Sequence, residues 1–195
     1  MELIYEEGQT PIDEDEKRGL KVRSISTMRE LNEFEQQNIE EAMQWAHGRS
    51  FRVEQVLSAD FIQNVHKRMF KNVWNWAGQF RTSNKNIGAP YYEIRQKLQT
   101  LIADCKHWIE YKIFPPDEIA VRFKHQLVSI HLFPNGNGRH SRLMGEILLK
   151  ALDDNQSLSW GLKSLRQGEA RKIYLEALRK ADNGDIDALL AFSRS

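Results

Sequence analysis

Apolar side chains recur every three or four residues along most of this 195-residue chain, and proline or glycine interrupts the pattern at only a few places. That spacing is the signature of helices that bury one stripe. Thr27 with Glu30 three residues on predicts a helix start, and Leu31, Phe34, Ile39 and Met43 carry the stripe to about His47, where Gly48 can end it. Phe61, Val65 and Met69 predict a second helix over about 58–70. Ile94, Leu98, Leu101, Cys105 and Trp108 predict a third over 92–111. Pro115-Pro116 stops that one, and Pro116-Asp117-Glu118 opens the next, with Ile119, Phe123, Leu127 and Ile130 on its buried face. Helices over about 138–152, 168–180 and 186–192 complete an all-α chain. The one place for a small hairpin is the loop Ser83–Pro90, rich in Asn and Gly.

Composition narrows the function. Lys+Arg is 28 and Asp+Glu is 27, a net charge of +1, which argues against a dedicated nucleic-acid binder. The hydrophobic set is 41% of the chain, enough to fill a core. Cys105 is the single cysteine, so neither an intrachain disulfide nor a Cys-based zinc site is expected. A reducing, cytoplasmic setting follows, with no membrane segment. Residues 1–20, with Asp13, Glu14, Asp15 and Glu16 in a row, are expected to form a solvated acidic arm ahead of one domain over 21–195.

The segment His131-Leu132-Phe133-Pro134-Asn135-Gly136-Asn137-Gly138-Arg139-His140-Ser141-Arg142 lies between two apolar helices. Gly136 and Gly138 permit positive φ and close backbone approach, and N–H groups gathered at a helix start form an anion site. Arg139 and Arg142 follow in the first helical turn, where cations oppose the helix dipole. A bound polyphosphate reverses that sign, and arginine grips phosphate bidentately. His131 looks across the same loop, and a neutral imidazole can take a proton. The segment therefore reads as a general base beside a phosphate cradle, suited to moving a nucleotide or phosphoryl group onto a hydroxyl. His140 is expected to be exposed, and Phe133 to anchor the loop in the core.

His131-x-Phe133-x-Asn135-Gly136-Asn137-Gly138-Arg139-x-x-Arg142 resembles the Fic motif, His-x-Phe-x-(Asp/Glu)-Gly-Asn-(Gly/Lys)-Arg-x-x-Arg. Trp74–Arg81, Asn86-Ile87-Gly88 and Pro115–Ile130 resemble the stretch upstream of that motif in Fic proteins. Thr10–Asp13 and Glu30–Trp45 are similar to the mobile mystery protein B subgroup, which is associated with mobile elements and with a helix-turn-helix partner, in a toxin–antitoxin-like arrangement. The resemblance implies the Fic helical fold with a small β-hairpin flap. It implies an enzyme that moves AMP from ATP onto a Ser, Thr or Tyr hydroxyl of another protein. His131 would then be the catalytic base. Gly136, Asn137 and Gly138 would form the anion hole, Arg139 would hold the outer phosphates and Arg142 the γ-phosphate. Asn86, Ile87 and Gly88 would lie in the flap that clamps the target by strand-like pairing.

One position departs from the pattern. Asn135 stands where the family has an acidic residue that holds Mg²⁺, so it would ligate the ion only weakly, and the nucleotide would hold most of it. Many relatives carry an inhibitory helix, (Ser/Thr)-x-x-x-Glu-(Gly/Asn). The nearest approach here is Gln36–Glu41, which nominates Glu40 as the inhibitory residue. The alternatives on the same fold are phosphoryl or other nucleotidyl transfer, removal of AMP, and a non-catalytic nucleotide- or partner-binding module.

Overall fold

A computed structural model describes residues 13–22, 24–25, 27–160 and 167–195. It is helical throughout, and no strand forms among the described residues. A short helix α1 (Glu14–Lys17) leads to α2 (Met28–His47). Thr27 caps α2 as expected: its hydroxyl accepts from the Glu30 N–H at 3.2 Å, and the Glu30 carboxylate accepts from the Thr27 N–H at 3.0 Å. Of the stripe expected on α2, Leu31 and Ile39 are buried, but Phe34 faces solvent; Glu35 and Asn38 are buried instead.

After α3 (Val53–Val56), Ser58 caps α4 (Ala59–Phe70) by accepting from the Phe61 N–H. A 3₁₀ turn at Tyr91–Glu93 runs into α5 (Ile94–Glu110). Pro116 opens α6 (Pro116–Ile130), which a short loop joins to α7 (Asn137–Leu152). Residues α8 (Gln167–Asp182) and α9 (Asp187–Arg194) close the fold.

The α6–α7 hairpin is shared by two cores. Phe123, Leu127, Leu143, Met144 and Leu148 join α2, α4 and α5 around Phe70, Trp74 and Phe133. Ala120, Val121 and Leu149 meet Trp160, Tyr174, Leu189 and Phe192 on the other side. The loop between α6 and α7 is thus held by a helix pair buried on both faces.

Two expectations are corrected. From Asp13 to Leu20 the acidic stretch is docked, not solvated. Gly19 O accepts from Asn75 N–H, the Lys21 N–H donates to Val73 O, and Trp76 Nε1 donates to Glu16 O at 3.1 Å. Lys85, its side chain 3% exposed, is gripped by Asp13 at 2.8 Å and Glu16 at 2.6 Å. Residues 1–12 lie outside the described residues. The hairpin at Ser83–Pro90 does not form either. Its loop closes around a side chain: Arg81 donates to Ser83 O at 2.8 Å and to Ala89 O, and the Tyr91 N–H donates to Asn84 Oδ1 at 3.0 Å. Carbonyls that a ladder would use are taken by a guanidinium. No helix among the described residues is long and apolar enough to cross a membrane.

Candidate active site

Ile130 ends α6, and His131 follows it in the left-handed conformation, φ 59° and ψ 64°. That costs a residue with a Cβ on the order of 1 kcal/mol, so the surroundings must hold it. Arg81 does so. Its Nε donates to His131 O at 2.6 Å and its backbone N–H to Leu132 O at 3.0 Å. Ala89 N–H donates to Ile130 O at 3.2 Å, which ties the far end of the flap loop to the same turn. Gly88 then lies directly on the histidine. Its φ is +96°, and a Cβ there would stand 2.4 Å from the His131 Cβ. The loop at 83–90 and His131 are therefore one unit, joined through Arg81, a residue that the motif does not contain.

His131 is 4% exposed. Burial lowers its pKa to about 4, the Arg81 and Lys85 cations push the same way, and a hydrogen bond with the Val128 backbone opposes them. At neutral pH the imidazole is uncharged and able to accept a proton.

The loop behind it is braced from within and from below. The Asn137 side chain spans it, Nδ2 donating to Phe133 O at 2.8 Å and Oδ1 accepting from Phe133 N–H at 2.9 Å. Phe133 is fully buried and stacks on His66 at 3.7 Å between ring centres. The Gly78 N–H donates to His66 Nδ1 at 2.9 Å, so His66 Nε2 carries the proton and donates to Asn135 O at 3.0 Å. Burial, first of all, keeps His66 far below its ordinary pKa. Gly136 adopts φ +77°, and a Cβ there would strike the Phe70 ring at 2.4 Å.

Five site expectations change. Asn137 spends its amide on Phe133 and braces the cradle instead of facing a ligand. The Gly136 N–H is taken by Asn135 Oδ1 at 2.6 Å. The open donors are thus the N–H groups of the first helical residues, Asn137 to Arg139, since no side chain among the described residues caps α7. Gly138 is not left-handed, but a Cβ there would meet nothing within 4 Å, so it borders open space as a cradle requires. His140 is buried, not exposed. Its Nε2 donates to Ile62 O at 2.9 Å, and burial lowers its pKa to about 4. Glu40 faces solvent and accepts from Gln36 Nε2 at 3.0 Å.

The carboxylate that does reach the motif is Glu35, one turn earlier on α2. It pairs with Arg139 Nη2 at 2.7 Å and accepts from Trp74 Nε1 at 2.6 Å. Arg139 also lies 5.1 Å over the Phe70 ring. Arg142 turns the other way and packs 4.2 Å over the Tyr174 ring. The two arginines, three residues apart, thus have separate supports. Asn86, Ile87 and Gly88 are exposed at the flap tip.

Asn135 turns its Oδ1 into its own loop, and no group of three His, Cys, Asp or Glu side chains among the described residues is arranged to hold a cation.

Residues 56–149 match the Fic/DOC family. Over 159 residues, 79% of this chain, it is 25% identical to the protein adenylyltransferase Fic of Nematostella vectensis, covering 35% of that protein. It is 26% identical over 158 residues to the protein adenylyltransferase Fic of Aedes aegypti, covering 30% of it. The chain thus spans about a third of the length of these curated relatives. Among solved structures, the BepC protein of Bartonella tribocorum with bound AMPPNP superposes at a TM-score of 0.69 with 18% identity, over 93% of this chain and 97% of that one. Fic-1 of C. elegans (aa134 - 508) superposes at 0.64 with 22% identity, over 91% and 51%.

Proposed function

We propose that this chain, which carries a Fic/DOC-family domain over residues 56–149, is a protein adenylyltransferase that moves AMP from ATP onto a Ser, Thr or Tyr hydroxyl of another protein. The reading is supported by the chain's similarity to protein adenylyltransferases. The observation that carries it is the turn at His131: a neutral histidine, held left-handed by Arg81 beneath Gly88, at one end of a loop whose other end is the uncapped start of α7.

In the proposed reaction the acceptor hydroxyl gives its proton to the His131 imidazole. Its oxygen attacks the α-phosphorus, the bond from that phosphorus to the α,β-bridging oxygen breaks, and pyrophosphate leaves. The N–H groups at the start of α7 and the Arg139 guanidinium face the developing charge, so positioning and charge neutralisation supply most of the rate. Arg142 takes the outermost phosphate. The exposed backbone of Asn86–Gly88 receives an extended target segment and brings its hydroxyl over His131. Magnesium would be held largely by the nucleotide, with Asn135 at most a weak ligand, and would supply charge neutralisation on the phosphates. Glu35 competes with phosphate for Arg139, so α2 restrains the free enzyme. A helix-turn-helix partner remains part of this reading on the strength of the sequence resemblance, and a cytoplasmic setting on that of the cysteine usage.

Incubation with α-labelled and γ-labelled ATP in lysate tests it. Protein-bound label from the α position alone is expected. Label from the γ position means phosphoryl transfer, and label from neither leaves a binding module.

A further inference from the structure

Arg142 is supported by a cluster that lies partly outside the Fic-matched residues. Its guanidinium sits on the Tyr174 ring of α8 and shares a hydrogen bond with the Tyr174 hydroxyl. Lys124 of α6, fully buried, also donates to that hydroxyl, its Nζ 4.3 Å from the ring centre. Two basic side chains thus share one phenol, and the carboxylates that act on them, Glu146 on Arg142 and Asp182 on Lys124, do so through space. Glu146 of α7 spends its oxygens on Trp160 Nε1 at 2.9 Å and His47 at 3.5 Å. Arg142 keeps a buried Nε with no hydrogen-bond partner among the described residues. Such an arrangement holds the guanidinium in one orientation through a ring and a neutral hydroxyl, which is what an anion-reading arginine needs. Burial, and then the Arg142 charge, push the Lys124 amine well below its ordinary pKa, with Asp182 opposing them.

We propose that Tyr174 is a positioning residue for Arg142, so that α8 sets the preference of the site for a nucleoside triphosphate over a diphosphate. This rests on the nucleotide-transfer reading above and deepens it. The phenol ring fixes the guanidinium plane, and the hydroxyl, braced by Lys124, fixes its rotation about that plane. Discrimination between ATP and ADP then depends on a helix that the family match does not include.

Calorimetric titration of the full chain with magnesium-ATP and with ADP tests this on the wild type, Tyr174→Phe, Tyr174→Leu, Arg142→Met and the double variant Tyr174→Leu/Arg142→Met. Tyr174→Leu removes ring and hydroxyl and is expected to weaken ATP about tenfold, while ADP stays within twofold. Tyr174→Phe keeps the stack and is expected to lose about threefold for ATP alone, so it carries the test if the leucine variant misfolds. In the Arg142→Met background the tyrosine change is expected to have no further effect. Equal losses for ATP and ADP, or a loss that persists in that background, would make Tyr174 a structural wall and overturn the proposal. A wild type that binds neither nucleotide would sink the underlying reading, and this one with it.

Discussion

Gly88 lies against His131 so closely that a Cβ at Gly88 would stand 2.4 Å from the His131 Cβ. His131 is held by Arg81 at its carbonyl, and Gly88 sits at φ +96° with its α-carbon against the imidazole-bearing residue. Gly88→Ala therefore combines an unfavourable backbone conformation with a clash at 2.4 Å, of roughly 1–3 kcal/mol together. The strain is relieved by shifting the flap or the base. Transfer activity is expected to fall at least tenfold, while ATP affinity, set by α7 and the two arginines, holds within twofold. Single-turnover kinetics beside calorimetry would show this, and an equal loss of both would mean that the flap also shapes the nucleotide pocket. His131 and the Asn86–Gly88 loop stood out in the sequence because each belongs to a compact motif. Arg81 was not, because its role is to donate to carbonyls 49 and 50 residues away, and backbone acceptors leave no trace in side-chain patterning.

At the scale of the helix, the periodicity of α2 predicted its span and its cap but misplaced one face. Phe34 is exposed and Glu35 is buried because Arg139 and Trp74 offer the carboxylate two partners that no local pattern reveals. The expectation that both arginines are electrostatically misplaced in the free protein fails at Arg139 for the same reason. Arg139→Gln is expected to lower stability by roughly 1–2 kcal/mol, a figure moderated because Arg139 itself is 38% exposed. Glu35→Gln acts in the opposite sense on binding. It keeps an acceptor for Trp74 and removes the charge that competes with phosphate. ATP affinity is expected to rise about three- to tenfold, in line with the loss of one charge-assisted contact. Titration of both variants decides the point: no gain in Glu35→Gln would mean that the pair persists when nucleotide is bound.

For the whole molecule, the acid response follows from histidines that the fold keeps neutral. His131 and His140 both stand at about 4, and His66 lies well below its ordinary value, with burial the largest cause in each. In the unfolded chain all three titrate near 6.5. Above that pH they are neutral in both states and contribute no slope. As the pH falls from 6.5 toward 4, the unfolded chain binds protons that the folded chain refuses, so stability declines through that window. By pH 5 the cost is roughly 2 kcal/mol each for His131 and His140, and a domain of this size then melts about 10 °C lower than at pH 7. Glu146, whose pKa is raised mainly by burial, works weakly against the trend, since its burial becomes easier as it protonates. The exposed carboxylates lose their contributions only at lower pH. His140→Gln keeps a donor for Ile62 O and cannot charge, so it should flatten the decline between pH 7 and 5 by about a third. A wild-type melting temperature that is level across that range would show that the fold admits protons to these histidines. It would then also show that the packing of Phe133 between His66 and His140, which positions the catalytic loop, is looser than the ring distances of 3.7 Å and 5.0 Å imply.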